Sequence, residues 1–396
     1  MVRGGAVHPL MGGLLVLGFS WFTACGGDSS DGASGGSSAT GGVSATGGNG
    51  STGGSSQNGG SATSGGNSAT GGAPAQGGSA PNEAFPTGFG VAEPLVTQLT
   101  RPVRIGFKNG FLYFTEMGLE SGSNSRLARR DASGNVQTLF SGNTVAALFL
   151  DDDELFFVER GTRSVFRMKY QTLTPELFAT TPDTVTVGDV GRLGENIWFS
   201  EFGTDGKSTA VVTKPRAGGA FQDVLPVGTH GFVFSYMTIA AGQVYLSTLG
   251  TNVGLFKGTA TTAPVLSVSG VLPRRVAADA NFVYFGSESD GRILRQAHNA
   301  TMSAELVAEG QNHPFGLAVD SGGVYWTNGP DCDPDSTAPM GSVAARALAG
   351  GAPVVVAANE RCPQAIVTDS DFVYWIRENP ADNLGDDSIM RAKKLR

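Results

Sequence analysis

Three glutamates hold the same place in three successive repeats. Glu116, Glu159 and Glu201 close the short aromatic segments Leu112-Tyr113-Phe114-Thr115-Glu116, Leu155-Phe156-Phe157-Val158-Glu159 and Ile197-Trp198-Phe199-Ser200-Glu201. Carboxylates converging on one point can bind a cation or serve as acid and base. A residue that recurs with its repeat also suits a structural task, such as capping a strand or bonding the next unit, and Asn328 takes this place in a later copy. A second group is Asp331-Cys332-Asp333-Pro334-Asp335. Asp331, Asp333 and Asp335 could offer alternating oxygen ligands to Ca²⁺. Ser336 stands where an EF-hand needs glycine and Ser342 where it needs glutamate, so solvated loop carboxylates are the competing reading. Asp382, Asp386 and Asp387 make the corresponding loop of the next copy acidic as well. The histidines His230, His298 and His313 are not at metal-ligand spacing. No nucleophile elbow or phosphate-cradling glycine loop stands out, and no cofactor beyond the weak Ca²⁺ pattern is implied.

The scaffold for these groups comes from repetition. Counting from the first aromatic, Tyr113, Phe156, Trp198, Tyr245, Tyr284, Tyr325 and Tyr374 follow one another at steps of 43, 42, 47, 39, 41 and 49 residues. Each aromatic strand is preceded by an apolar strand and a tight polar turn, as in Gly316-Leu317-Ala318-Val319-Asp320 followed by Ser321-Gly322-Gly323. A third strand follows each, and a fourth closes most units. The strands are rich in Val, Tyr, Phe and Ile, and Gly, Asn and Asp mark the turns. A period of 40 to 45 residues with several short strands per unit is the pattern of propeller blades. The expected fold is therefore all-β, a seven-bladed β-propeller of four-stranded blades over residues 92–396. The seventh copy lacks a fourth strand, and an orphan strand, Pro94-Leu95-Val96-Thr97-Gln98-Leu99, precedes the first. Pairing the two would latch the ring and leave no exposed sheet edge.

The unit Leu317-Ala318-Val319-Asp320 with Tyr325-Trp326-Thr327-Asn328 resembles the Tyr-Trp-Thr-Asp repeats of lipoprotein-receptor-type propellers. The copies Trp198-Phe199-Ser200-Glu201 and Phe114-Thr115-Glu116 resemble those of streptogramin lyases. The likeness spans residues 92–396 and speaks to fold far more than to function. Receptor-type propellers commonly have six blades, and seven copies depart from that pattern.

In such a fold the loops entering the inner strands and those leaving the aromatic strands share one face. Four residues before the turn position stand Arg104, Ala147, Asp189, Tyr236, Arg275, Gly316 and Ala365. The next residues, Ile105, Leu148, Val190, Met237, Val276, Leu317 and Ile366, are uniformly apolar and belong between blades. The first set varies and carries ions, so it should face the channel mouth. Arg104, Asp189, Tyr236 and Arg275, with His313 nearby before Pro314, are the ligand-facing candidates; a water-filled channel lined by mutually satisfied groups is the alternative. Cys332 and Cys362 fall in neighbouring loops of this face, where a disulfide would tie down the insertion.

The first 82 residues carry an address and a spacer. Met1 to Cys25 reads as a signal peptide, with Arg3 ahead of the apolar run Leu10 to Phe22. Phe22-Thr23-Ala24-Cys25 resembles a bacterial lipobox, with Phe22 where leucine is usual. Lipidation at Cys25 anchors the protein in a membrane; cleavage near Ala24 without lipid makes it a soluble secreted protein. A lipidated Cys25 leaves Cys332 and Cys362 as an even pair in an oxidising compartment. Residues 26–82 are Gly, Ser, Ala, Thr and Asn with little else, and Ser-Ala-Thr-Gly-Gly recurs at 38–42, 44–48 and 68–72. Such a linker cannot bury enough apolar surface to offset ordering entropy, and its r.m.s. reach is roughly 40 Å. A net charge of −8 with no basic stretch argues against a nucleic-acid partner.

These readings place the protein in the bacterial cell envelope, as an outer-membrane lipoprotein or secreted, and as a monomer. The function expected is a binding module for a protein, peptide or glycan. A metal-dependent lactonase- or lyase-like enzyme is the alternative, and a purely structural envelope component is a third reading. Fold alone does not choose among them.

Overall fold

The computed structural model describes residues 84–119, 124–203, 209–226, 232–250, 254–329, 340–379 and 385–396. The signal peptide with Cys25, the linker, Cys332 and the aspartates Asp331, Asp333 and Asp335 lie outside the described residues. No helix among the described residues is long and apolar enough to cross a membrane.

The chain forms seven antiparallel sheets in sequence order, each the blade that the aromatic repeat predicts. Blade 1 comprises Pro102–Lys108, Phe111–Glu116, Arg126–Arg130 and Val136–Ser141. Blades 2 to 6 repeat this four-stranded order, with inner strands Val145–Leu150, Val185–Leu193, Phe232–Ala240, Pro273–Ala278 and Pro314–Val319. Blade 7 has only Pro363–Thr368, Phe372–Arg377 and Asp387–Leu395 from its own repeat. Its missing outer strand comes from the start of the domain. Glu93–Leu99 pairs antiparallel with Asp387–Leu395, matching Glu93 with Arg391 and Leu99 with Asp387. The two-residue strand Gly88–Phe89 pairs with Lys394 and Leu395 further along the same edge. The latch expected of residues 94–99 is present and extends to residue 88. Each inner strand contacts the next, and Pro363–Thr368 contacts Pro102–Lys108, so the ring closes.

The core lies between blades. Seven apolar clusters fill the seven junctions, and each contains one of the residues expected there: Ile105, Leu148, Val190, Met237, Val276, Leu317 and Ile366. A repeated polar device holds the turns. Asp279 Oδ1 accepts the backbone N–H groups of Asn281 and Phe282, and its Oδ2 accepts the Tyr284 hydroxyl at 2.8 Å. Asp369 does the same for Asp371, Phe372 and Tyr374. The turn aspartate thus fixes the backbone reversal and anchors the following aromatic strand, which explains why the two recur together. Hydrogen bonds to such charged groups contribute about 1.5–3 kcal/mol each.

In blade 6 the turn aspartate is used differently. Asp320 Oδ1 binds the turn N–H groups of Gly322 and Gly323, while Oδ2 accepts Lys394 Nζ at 2.6 Å. Lys394 is only 4% exposed and its ammonium also lies over the Tyr325 ring. The last strand is therefore stapled to blade 6 by a buried ion pair. Phe85 and Phe89 cover the same junction by packing on Tyr325.

Candidate functional site at the channel mouth

Four of the residues singled out in the sequence meet at the mouth. Arg104 of blade 1 places Nη2 3.6 Å from Asp189 Oδ2 of blade 3. Asp189 also accepts the backbone N–H of Val190 on Oδ1 and that of Met237 in blade 4 on Oδ2, each at 3.1 Å. The Arg104 guanidinium lies 5.0 Å from the centre of the Tyr236 ring, and that of Arg275 lies 4.5 Å from it. Arg275 of blade 5 donates from Nη2 to the carbonyl of Val103 in blade 1 at 3.0 Å. Large side chains from blades 1, 3, 4 and 5 therefore lace across the axis.

The other three blades make room for them. Ala147, Gly316 and Ala365 hold the equivalent positions in blades 2, 6 and 7. A Cβ at Gly316 would collide with the carbonyl oxygen of Gln364, so blade 6 can present no side chain there. Below the laced residues the channel holds a cavity of about 70 Å³, lined by the four mouth residues and by inner-strand residues such as Phe107, Leu150 and Ile239. That volume accommodates a few waters or one compact group, and is well short of the roughly 300–1,000 Å³ of a drug-sized ligand pocket. A wider groove of about 720 Å³ lies beside blade 1, lined by Gln98, Thr100, Glu116, Arg126 and Thr138 among others.

His313 does not join the cluster. It precedes the inner strand of blade 6 with its side chain 43% exposed, and its Nδ1 lies 3.9 Å from Glu288 Oε1. Glu288 is itself held by Arg274, whose Nε and Nη2 donate to its two oxygens at 2.5 and 3.2 Å.

A second layer of mouth residues escaped sequence reasoning. In five blades the residue just past the aromatic strand bonds back to the entrance of its own blade: Met117, Arg160, Glu288, Gly329 and Glu378 donate their N–H groups to the carbonyls of Arg101, Thr144, Leu272, His313 and Cys362. Four of those acceptors, Arg101, Thr144, His313 and Cys362, have positive φ. This geometry brings Arg160 and Glu378 close to the cluster. Burial, reinforced by the charge of Arg104, pulls the Arg160 and Arg275 guanidiniums down to about 10. Burial pushes the Glu378 carboxyl up to about 8, helped by Asp387 and opposed by Arg101 and Arg275. The signal was a position in the repeat, but its occupants share no chemistry.

The repeated glutamates divide. Glu116 accepts the backbone N–H of Thr100 at 2.8 Å and pairs with Arg126. Glu159 accepts the N–H of Asn143 at 2.6 Å and the Thr162 hydroxyl. Both cap the segment that enters their own blade. Burial raises the Glu201 carboxyl to about 7, with Asp223 adding to the shift. Asn328 bonds Gln311 Oε1 at 3.0 Å beside the Trp326 ring nitrogen, which shares that acceptor.

One cluster of metal-ligating side chains occurs among the described residues, at the blade 2 turn: Asp151, Asp153 and Glu154 have oxygens within 4.8 Å of one another. Cations already occupy it. Arg192 pairs with Asp151, and Arg216 pairs with Asp153 and Glu154. Cys362 is buried at the blade 7 entrance and its Sγ accepts from Gln364 Nε2 at 3.1 Å.

No protein-family model matches the sequence, and no curated protein matches it. Solved structures do resemble it in fold. Virginiamycin B lyase from Staphylococcus aureus superposes with a TM-score of 0.58 at 12% identity, covering 76% of this chain and 98% of that one. A streptogramin B lyase gives 0.57 at 14%, covering 78% and 99%. An oligogalacturonate lyase in complex with manganese gives 0.59 at 13%, covering 81% and 99%. At these identities the likeness establishes the seven-bladed propeller and nothing about activity.

Proposed function

We propose that the protein is an exported, lipid-anchored binding module of the bacterial cell envelope, whose mouth face recognises a protein, peptide or glycan. The convergence of Arg104, Asp189, Tyr236 and Arg275 from four blades carries this reading. Guanidinium forks and a tyrosine ring hold polar ligands by direction and charge. The capping duties of Glu116 and Glu159 support it further, since those carboxylates are committed to backbone N–H groups. The anchor at Cys25 and the Cys332–Cys362 disulfide belong to the same proposal, the latter supported by the buried entrance position of Cys362. Full-length protein incubated with purified envelope glycans and peptide libraries should retain one class, and Arg275→Met should weaken that retention at least ~10-fold, the loss of about 1.4 kcal/mol. Equal retention by both proteins would overturn the reading. Cys25→Ala should move the protein from the membrane fraction to the soluble one.

Glu201 favours a second reading, a lyase-like enzyme. Its carboxyl, raised to about 7 by burial, is in the range suited to acid–base work. Two of the structural neighbours are a streptogramin B lyase and an oligogalacturonate lyase. Product release from either compound in the presence of Mn²⁺, lost in Glu201→Gln, would support it; no turnover in wild type counts against it.

A further inference from the structure

Among the described residues, the guanidiniums at the mouth outnumber the carboxylates near them. Among the described residues Arg104, Arg160 and Arg275 gather round one carboxylate, Asp189, whose oxygens are shared with two backbone N–H groups, and Glu378 is the other acid near Arg275. Arg275 is 8% exposed, and its Nε has no acceptor among the described residues. The Arg160 Nε is likewise buried without one. A buried, unmatched guanidinium is costly, and unsatisfied donors at such a site ask for an acceptor. The whole protein is acidic, at −8, so this concentration of cations is local.

We infer that the mouth binds one compact oxyanion, the carboxylate, sulfate or phosphate group of an acidic ligand. The inference rests on the reading of the mouth as the recognition face. Each guanidinium offers a planar fork of donors that matches an oxyanion. The channel cavity of about 70 Å³ beneath Arg104 and Arg275 takes a group of that size and not a whole ligand, so the remainder of the ligand stays outside on the mouth face. Tyr236 holds the two arginines of blades 1 and 5 against its ring and so sets their separation. The raised Glu378 carboxyl, neutral in much of the population at neutral pH, adds a proton donor and little opposing charge.

The test is thermal denaturation of the full chain at constant ionic strength, titrated with sodium acetate, sulfate or phosphate against chloride. A saturable rise in Tm is expected with at least one of them, and the comparison of acetate with the tetrahedral anions assigns a carboxylate or a sulfate-phosphate preference. General salting effects do not saturate. Arg275→Met and the milder, half-buried Arg160→Gln should each weaken the apparent affinity at least ~10-fold, while Arg216→Gln at the opposite turn should leave it unchanged. No saturable rise, or the same rise in all three variants, overturns the inference. If the anions fail while Arg275→Met still loses the retained glycan or peptide, the binding module stands and the oxyanion does not.

Discussion

The mouth of the propeller and the turn of blade 2 are both built from arginines and carboxylates drawn from several blades, yet they dispose of charge in opposite ways. At the turn every carboxylate has a cation. Lys108 of blade 1 lies 3.3 Å from Asp152, Arg192 of blade 3 lies 3.1 Å from Asp151 and 3.5 Å from Asp152, and Arg216 takes Asp153 and Glu154. At the mouth, among the described residues, the guanidiniums outnumber the carboxylates near them. Matched charge joins blades 1, 2 and 3 and leaves no demand for a ligand. Unmatched charge contributes less to cohesion and leaves buried donors, Arg160 Nε and Arg275 Nε, without acceptors among the described residues. On the proposed reading of the mouth, the contrast separates a joint from a site more clearly than counting ionisable residues would.

Removing the carboxylate that pairs with Arg104 at the mouth should have the largest effect. Asp189→Ala strands three guanidiniums and frees the N–H groups of Val190 and Met237, and should cost about 3–5 kcal/mol in urea denaturation. Saturating oxyanion should restore part of that loss; a cost under about 1 kcal/mol would mean the mouth is already neutralised. At the turn, Arg192→Met leaves Asp151, whose carboxyl burial already raises, without its nearest cation. A loss of roughly 2–3 kcal/mol is expected, smaller because Arg216 remains close, and it should shrink at acid pH as Asp151 takes up a proton.

The folded state holds the Glu378 and Glu201 protons up to about 8 and about 7, against 4.5 ordinarily. The native state binds more protons than the unfolded chain over that interval, so the stability present below the ordinary value is lost as pH rises towards these folded values. Denaturation midpoints between about pH 5 and pH 8 should fall in wild type, and Glu378→Gln should flatten the upper part of the decline. The smallest effect belongs to the exposed edge of the turn. Lys108→Ala removes an ion pair whose partner is well exposed, and should change stability by no more than about 1 kcal/mol.

Residue types and spacing made the scaffold legible. The seven aromatic strands, the apolar residues between blades and the strand that completes blade 7 follow from periodicities that the backbone enforces. Four mouth residues were legible for the same reason, as the variable polar member of a periodic set. Arg160 and Glu378 were not, because Met117, Arg160, Glu288, Gly329 and Glu378 share a backbone hydrogen bond and no side-chain property. The cations of the blade 2 turn were also hidden. Lys108, Arg192 and Arg216 come from two other blades, and only ring closure brings them to Asp151 and its neighbours. His313, close to the inner strand in sequence, stands beside Glu288.

The latch has a consequence for how the chain reaches this state. Thr87 bonds Leu395, and Glu93 pairs with Arg391, across separations of 308 and 298 residues. Contacts so distant along the chain form late, because the loop between them must be closed before they return any free energy. Six blades can complete their own hydrogen bonding as they emerge, but the seventh cannot, and the apolar face shared by blades 7 and 1 stays wet until it does. During that interval the molecule is an open arc with two sticky ends, able to accept a strand from another copy as readily as its own. Ring closure is thus the step at which a growing chain commits to being one molecule, and dilution or a chaperone that shields Glu93–Leu99 should raise the yield of refolding.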